Sequence, residues 1–279
     1  MNKKRLALGV VALIVTIGIW SKVEGLSNRK HDVPASTPTA SPEASAPAAE
    51  PQNAFVVANL PDKNVSAGKD GVAVVTNADS TLVLANKKRN LPSDYAPADL
   101  VVPNVDFSFS GDSPKKQMRK VAADALESLF AAAKADGIDL KAVSGYRSYA
   151  TQKSLFAYYI NQHGQEAAER FSAHPGQSEH QTGLAMDVSS ASVGYGLEES
   201  YGKTAEGQWL VAHAAEHGFI IRYPQGKEAI TGYSYEPWHL RYVGVDVAKR
   251  IMEENTTLEE YFDEVAVLAN AAGDAGEAK

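Results

Sequence analysis

The sequence contains no cysteine and no excess of positive charge. The first absence excludes thiol chemistry, and the second argues against binding to nucleic acid. Without cysteine it can form no disulfides, thiol nucleophiles or thiolate zinc sites, so any metal must be held by His, Asp or Glu. The 279 residues carry 27 Lys+Arg against 34 Asp+Glu, a net charge of −7. Phosphate neutralisation needs a basic face, which this charge balance does not supply. We therefore expect no nucleic-acid partner.

Long apolar runs are lacking except at the amino terminus. Lys3, Lys4 and Arg5 precede an uncharged, mostly apolar run over residues 6–20, a pattern typical of an export signal or an N-terminal anchor. Residues 1–23 are therefore predicted to be a signal or anchor segment, and the absence of an obvious small-x-small cleavage site favours an uncleaved anchor over a removed signal peptide. In either form the basic flank stays on the cytoplasmic side of the membrane, and the rest of the chain lies on the other side. An extracytoplasmic location is therefore expected.

Composition predicts four further segments. Residues 24–53 include five prolines among Ala, Ser, Thr and Glu, which predicts an extended, disordered linker. Residues 54–80 form a weakly structured extension, in which Phe55–Val57 and Val72–Val75 are candidate short strands. Residues 81–268 are predicted to be the folded domain. Residues 269–279, rich in Ala and Gly, are predicted to be a frayed, flexible tail.

Hydrophobic spacing predicts both helices and strands in the folded part. The predicted helices are a long one opened by Ser113-Pro114 and ended by Gly137, then Tyr149–His163, Gln165–Phe171 and Glu206–His217. The predicted strands are Leu82–Leu84, Leu140–Val143, Leu184–Val188, Phe219–Tyr223 and Trp238–Val243. No βαβ rhythm and no glycine-rich phosphate loop are present. The predicted class is therefore α+β, with a small antiparallel sheet flanked by helices.

The histidines are the natural metal candidates in a chain without cysteine. His213 and His217 have the spacing of a zinc-binding helix, but the intervening Ala-Ala-Glu misplaces the base that such a helix carries. His180 is a better candidate, because it lies seven residues before Asp187 with a glycine and a short apolar run between them. His239 is the other, at the end of a Glu-Pro-Trp-His sequence.

These residues could form a catalytic metal site. Two imidazoles and one carboxylate, from His180, His239 and Asp187, leave a fourth tetrahedral position for water. The metal lowers the pKa of that water, and an unligated Glu236 nearby could take its proton. Pro237 excludes a shared regular helix, so a turn leading into a strand is expected to present Glu236 and His239. A capped loop and a buried structural pair are the alternatives that spacing leaves open.

Three blocks, in order, resemble the VanY-type D-alanyl-D-alanine carboxypeptidases, zinc peptidases that process peptidoglycan and include related L,D-carboxypeptidases. The blocks are Ser144-Gly-Tyr-Arg-Ser-Tyr149 with Gln152, Ser178-Glu-His through Ala185-Met-Asp-Val188, and Glu236-Pro-Trp-His239 with the following Arg241 to Gly244. The resemblance implies an α+β fold of the hedgehog/D,D-peptidase type. It also implies one zinc ion held by His180, Asp187 and His239, with Glu236 as the catalytic base.

The resemblance further implies a substrate site lined by Arg147, Gln152 and Ser178. Arg147 is expected to act in catalysis and to bind the terminal carboxylate, for which the guanidinium fork is well suited. A structural arginine, an exposed helical Gln152 and a turn-capping Ser178 are the alternatives. Ser178 is not expected to be a nucleophile, because the chain lacks a Gly-x-Ser-x-Gly elbow and a convincing Ser-x-x-Lys site.

The expected function is hydrolysis of the terminal D-alanine from peptidoglycan stem peptides by a zinc-activated water with Glu236 as base. An L,D-carboxypeptidase that trims tetrapeptide stems uses the same zinc constellation and is the nearest alternative. An endopeptidase that cuts inside the stem is less favoured if Arg147 binds a free carboxylate. A non-catalytic cell-wall-binding module is also considered, but an intact Glu236 argues against it.

Overall fold

The computed structural model describes residues 51–68 and 71–277. The predicted anchor, residues 1–23, and residues 24–50 of the predicted linker lie outside this range. Within the described residues, no helix combines the length and the apolar character needed to span a membrane. The boundaries of the predicted segments remain predictions.

Helices and strands are interspersed along the described chain. The helices are α1 (Pro51–Ala58), α2 (Lys120–Ala135), α3 (Tyr149–His163), α4 (Gln165–Phe171), α5 (Ala205–His213), α6 (Glu228–Thr231), α7 (Val245–Glu253) and α8 (Leu258–Glu277). The strands are β1 (Val65–Ser66), β2 (Ala73–Val75), β3 (Arg89–Asn90), β4 (Leu100–Val101), β5 (Met118–Arg119), β6 (Lys141–Ser144), β7 (Ala185–Ser189), β8 (Phe219–Tyr223) and β9 (Glu236–Tyr242). The predicted α+β class is confirmed.

The largest sheet among the described residues has four strands in the order β6-β7-β9-β8, and every neighbouring pair is antiparallel. Strands β1 to β3 form a small second sheet, and β4 pairs with β5. The central strand β7 and the edge strand β8 are buried at every position. A strand buried on both faces shows a continuous apolar run rather than an alternating pattern, which is why these two were visible in the sequence.

Helix α2 carries one wall of the main core. Its Ala122, Leu126, Leu129 and Ala133 recur at helical spacing and are fully buried. They belong to the same apolar cluster as residues of the sheet such as Leu240. Removing each leucine side chain from water is worth about 1.5–3 kcal/mol, so this face holds the helix against the sheet.

The long helix begins later than the sequence predicts. Ser113 does act as a cap, but its hydroxyl accepts a hydrogen bond from the Lys115 amide and closes only a 3-10 turn over Pro114–Lys116. The chain then runs as β5, because Met118 pairs with Val101 of β4. Helix α2 starts after that pairing. The pairing is a contact between distant segments, so the spacing of apolar residues along the chain does not predict it.

Two predicted strands are wrong. Residues Phe55–Val57 lie in helix α1. Residues Leu82–Leu84 pair with no strand, although all three are buried. Leu82 and Leu84 pack in one apolar cluster and Val83 in another, so the segment is held between two cores by its side chains. A short apolar run cannot by itself distinguish a strand from such a buried segment.

Helix ends also differ from the predictions. Helix α5 ends at His213 and continues as a 3-10 turn over Ala214–His217, which Gly218 ends in the left-handed conformation at φ 80°. Helix α8 continues to Glu277, so most of the segment from residue 269 that was predicted to be frayed is helical. By contrast, α3, α4 and β8 have the bounds that the sequence predicts.

Candidate active site

The sheet register brings the three predicted metal ligands together. Asp187 of β7 lies directly opposite His239 of β9. His180 lies in a 3-10 turn over Glu179–Thr182, which Gly183 ends at φ 67°. That left-handed residue reverses the chain directly into β7, so the turn holds His180 over the strand that carries Asp187.

The three side chains are buried and their donor atoms converge. Nε2 of His180 lies 3.4 Å from Oδ2 of Asp187, and Nδ1 of His239 lies 3.0 Å from Oδ1 of Asp187. One donor atom from each residue lies within 4.8 Å of the others. The other ring nitrogen of His180, Nδ1, donates a hydrogen bond to the Gly145 carbonyl at 2.9 Å. A ligating histidine normally has its second nitrogen held in this way.

The charge balance of this group suits a divalent cation. Burial lowers the pKa of His180 to about 3, so this imidazole is neutral and its Nε2 lone pair is available. Burial also acts to lower the pKa of His239, but its hydrogen bond with Asp187 and the nearby Glu179 carboxylate raise it to about 9. The neighbouring carboxylates therefore favour the protonated form of His239. Metal binding releases such protons, so the donor set fits zinc.

Glu236 lies beside this group at the start of β9, and its Oε2 is 3.9 Å from Nδ1 of His239. Two residues three apart in a regular strand point to opposite faces. The β8–β9 register shifts here, because Ile221 pairs with Leu240 and Tyr223 with Glu236, leaving two extra residues in β9. This bulge turns Glu236 towards the ligands. The two residues were expected in a turn before a strand, but both lie within β9.

Burial raises the pKa of Glu236 to about 7, and the charges of Asp187 and Glu179 add to the effect. A carboxyl group with such a pKa can exchange a proton near neutral pH, which is the property that a general base needs. Its side chain is 15% exposed, so substrate and water can reach it.

Arg147 lies at the same cleft and is held in place by neighbouring side chains. It donates to Oε1 of Gln152 at 3.0 Å and to the hydroxyl of Ser144 at 3.2 Å. The amide nitrogen of Gln152 is in turn fixed by the Ala173 carbonyl at 2.7 Å. Gln152 is 1% exposed and stands behind Arg147, away from the cleft wall. A direct contact of Gln152 with substrate remains a prediction.

A cleft of about 510 Å³ joins these groups. Its wall includes the metal-ligand candidates, the predicted base, Arg147 and Ser178, with aromatic side chains such as Tyr233 and Trp238. In the described part of the chain, His180, Asp187 and His239 are the group that could hold a metal. His213 and His217 do not join it, and Nδ1 of His217 is instead hydrogen-bonded to Ser128 at 3.0 Å.

Comparison with known proteins gives the family. The family model described as VanY, D-alanyl-D-alanine carboxypeptidase, matches residues 115–245. The putative carboxypeptidase YodJ of Bacillus subtilis is 53% identical over 196 residues, which cover 70% of this chain and 72% of the relative. This chain belongs to the VanY family. The resemblance seen in the three sequence blocks is thereby confirmed.

Two solved structures of VanY-type enzymes are also similar. One is the LdcB LD-carboxypeptidase, with 51% identity and a TM-score of 0.69, covering 72% of this chain and 93% of that chain. The other is the D,D-pentapeptidase VanY from a VanB-type resistance cassette in complex with Zn(II). It has 32% identity and a TM-score of 0.54, covering 65% of this chain and 98% of that chain. This VanY family member is a zinc carboxypeptidase, and zinc as its cofactor is confirmed.

Sequence reasoning missed three buried charged residues of this VanY site. Glu179 accepts hydrogen bonds from Arg222 and Arg241, and none of the three side chains is exposed. A signal was present for Arg222, since it is the single charged residue of the apolar strand β8. A buried charge is retained in such a strand only when it is paired.

Proposed function

We propose that this chain removes the C-terminal D-alanine from peptidoglycan stem peptides that end in D-Ala-D-Ala. The observation that carries the proposal is the convergence in one cleft of three buried metal-ligand candidates with a partly buried carboxyl group, Glu236, and a partly buried arginine, Arg147. A metal site alone would also fit a structural role. A carboxypeptidase requires, beside the metal site, a proton acceptor and a group that binds the terminal carboxylate.

The metal role is assigned to His180, Asp187 and His239. Zinc held there would supply a Lewis acid that lowers the pKa of water at the site and polarises the scissile carbonyl. The three ligands arise from a turn and two neighbouring strands, so their spacing is set by the sheet. The three ligand side chains are themselves buried, so the surrounding packing restricts their movement.

Glu236 is assigned the role of proton carrier. Its carboxylate accepts a proton from the attacking water and then donates it to the nitrogen of the departing D-alanine. Water attacks the carbonyl carbon as its proton leaves, and the C–N bond breaks as the amine nitrogen receives that proton. The side chain lines the cleft beside the metal-ligand candidates and is partly exposed there, which supports this role.

Arg147 is assigned the role of carboxylate receptor. Gln152 and Ser144 hold its guanidinium from behind, so donors remain to form charge-assisted bonds to the terminal carboxylate. Holding that carboxylate at a fixed distance from the metal group places the last peptide bond at the reacting position. This selects removal of one residue from a free C-terminus and disfavours cleavage inside the stem.

The test is D-alanine release by the purified chain, offered pentapeptide and tetrapeptide stems side by side. We expect release from the pentapeptide, loss of most of the rate on chelation because the metal activates the attacking water, and recovery with zinc. Circular dichroism of the chelated protein distinguishes a catalytic from a structural metal. An unchanged rate after complete zinc removal would contradict the proposal.

A second candidate is favoured by one observation. The LdcB LD-carboxypeptidase is 51% identical to this chain with a TM-score of 0.69, above the values for the D,D-pentapeptidase VanY. An L,D-carboxypeptidase would release D-alanine from tetrapeptide stems with the same metal, base and arginine. A higher kcat/KM on the tetrapeptide than on the pentapeptide would replace the first proposal by this one.

Substitution of Arg147 by lysine tests the carboxylate receptor. Lysine keeps the charge but loses the fork, so we expect kcat/KM to fall about 10- to 100-fold, since a bond to a charged group is worth about 1.5–3 kcal/mol. The measurement compares a free-acid stem with its C-terminal amide. The wild type should prefer the acid, and Arg147→Lys should lose most of that preference. Arg250→Lys, on the exposed face of α7, is the matched control. An undiminished preference would exclude the role.

The location of the chain follows from the same proposal. Peptidoglycan stems lie outside the membrane, so we infer that the chain acts on its extracytoplasmic side. This agrees with the predicted N-terminal anchor over residues 1–23, which is also part of the proposal.

A further inference from the structure

Two buried atoms at the metal site face each other without a hydrogen bond. They are Nε2 of His239 and Oε2 of Glu179, 3.5 Å apart. Each is shielded from water and each lacks any other partner. An isolated buried donor or acceptor is unfavourable, so two such atoms at this distance indicate an interaction that a small movement would complete.

The other oxygen of Glu179 is firmly held. Oε1 accepts from Nε of Arg222 at 2.7 Å and from a terminal nitrogen of Arg241 at 2.6 Å. Two guanidinium groups on one carboxylate oxygen orient the whole group and leave Oε2 aimed at His239. The carboxylate is therefore a fixed acceptor rather than a mobile side chain.

The two arginines that hold Glu179 are themselves bound by residues outside the region that the family model matches. That region is residues 115–245. Arg222 makes two bonds to Glu259 of α8, at 2.8 and 2.7 Å. Arg241 donates to the carbonyls of Thr81 and Val83 at 3.0 and 2.7 Å. The buried segment Leu82–Leu84 and the C-terminal helix thus both connect to Glu179 through one arginine each.

The ring of His239 has two nitrogens, and the structure gives them different surroundings. Nδ1 faces Asp187 and the other ligand candidates, whereas Nε2 faces Glu179. We propose that Glu179 is a positioning residue that accepts the Nε2–H of His239 and so presents Nδ1 to zinc, and that Glu259 of α8 fixes Glu179 through Arg222. This rests on the metal role proposed above for His239.

The proposal differs from a purely structural ion cluster in what it predicts. A structural cluster would stabilise the fold and leave the ring nitrogens and the metal affinity unchanged. An acceptor for the ligating histidine sets its tautomer and its orientation, and loss of such a partner typically costs about 10- to 100-fold in metal affinity.

The first experiment needs no substitution. The zinc-loaded wild type, labelled with ¹⁵N in histidine, is examined by NMR for the ring nitrogens of His239. We expect Nδ1 to carry the metal shift and Nε2 to carry a proton that exchanges slowly with solvent. Metal on Nε2 of His239, or an Nε2–H that exchanges freely, would overturn the proposal.

The second experiment measures zinc affinity by competition with a chromophoric chelator, and the visible spectrum of the Co(II)-loaded protein. Glu259→Gln should weaken zinc binding by about threefold or more, and Glu179→Gln by about 10- to 100-fold, each with a shifted Co(II) spectrum. Glu264→Gln, also on α8 but paired with Arg250, is the matched control and should change neither. Circular dichroism checks that each variant is folded.

The outcomes separate this inference from the proposed function. Wild-type zinc affinity and spectrum in a folded Glu259→Gln protein would remove α8 from the argument and overturn the proposal as stated. Because both readouts are of metal binding, they do not depend on which stem peptide is cleaved. Failure of D-alanine release with a correctly positioned His239 would overturn the proposed function and leave this inference standing.

Discussion

Replacing Glu236 by glutamine is expected to lower kcat for D-alanine release by about 10²- to 10⁴-fold, the usual contribution of general acid–base catalysis. Glutamine has nearly the same shape, so the cleft should be preserved, but an amide cannot accept and return the proton. The ligand candidates His180, Asp187 and His239 are untouched. We therefore expect one zinc per chain in the variant, measured by atomic absorption beside the kinetics.

A comparable change elsewhere gives the reference for this result. Glu253→Gln, at an exposed position of α7, removes the same charge away from the cleft and should leave kcat unchanged. If Glu236→Gln retained wild-type kcat, another group would have to move the proton. If it lost zinc, Glu236 would belong to the metal site, and the base would have to be sought again.

Gly145→Ala is expected to lower both the stability of the fold and the affinity for zinc. A Cβ at this position would overlap the Gln117 carbonyl oxygen and lie 2.8 Å from the Met186 side chain. The Gly145 amide also bonds to the Lys115 carbonyl at 2.7 Å, so the backbone is fixed on that side. Overpacking costs about 1–3 kcal/mol in general, and a clash with backbone lies at the upper end of that range.

The same substitution should also weaken metal binding, because the Gly145 carbonyl accepts the Nδ1–H of His180. Moving this carbonyl releases the ring, and we expect zinc to bind about tenfold more weakly or worse. Urea unfolding and chelator competition measure the two effects. Gly111→Ala, where a Cβ meets open space, is the control; its cost comes from φ +83° alone and is about 1 kcal/mol. Equal stability of the two variants would contradict the steric argument.

Agreement between sequence and structure is best where local chemistry decides the conformation. Helix α3 has its predicted bounds because Ser148 caps its first turn, accepting from the Thr151 amide, and Gly164 ends it at φ 80°. Strand β8 was visible as a run of five residues that is apolar except for Arg222, and all five are buried. The start of α2 was wrong because a pairing between β4 and β5 interrupts the helical pattern.

The candidate site shows the same division. Residue type and spacing identified His180, Asp187, His239 and Glu236 as a set, and the family blocks added Arg147. What spacing cannot report is the register of antiparallel strands distant in sequence, which places Asp187 opposite His239. A one-residue slip would turn one of these side chains to the other face.

By itself, then, the amino-acid sequence determined the kind of site: a cysteine-free set of His and Asp ligands, a carboxyl base and an arginine, in a chain of α+β class. These are properties of residue identity and short-range order. Only the tertiary structure decided that a bulge in β9 turns Glu236 towards His239, and that Gln152 stands behind Arg147. It also decided that Glu179 joins His239 to Arg222 and Glu259. Each of these depends on contacts between segments far apart in sequence, and such contacts leave no periodic pattern along the chain.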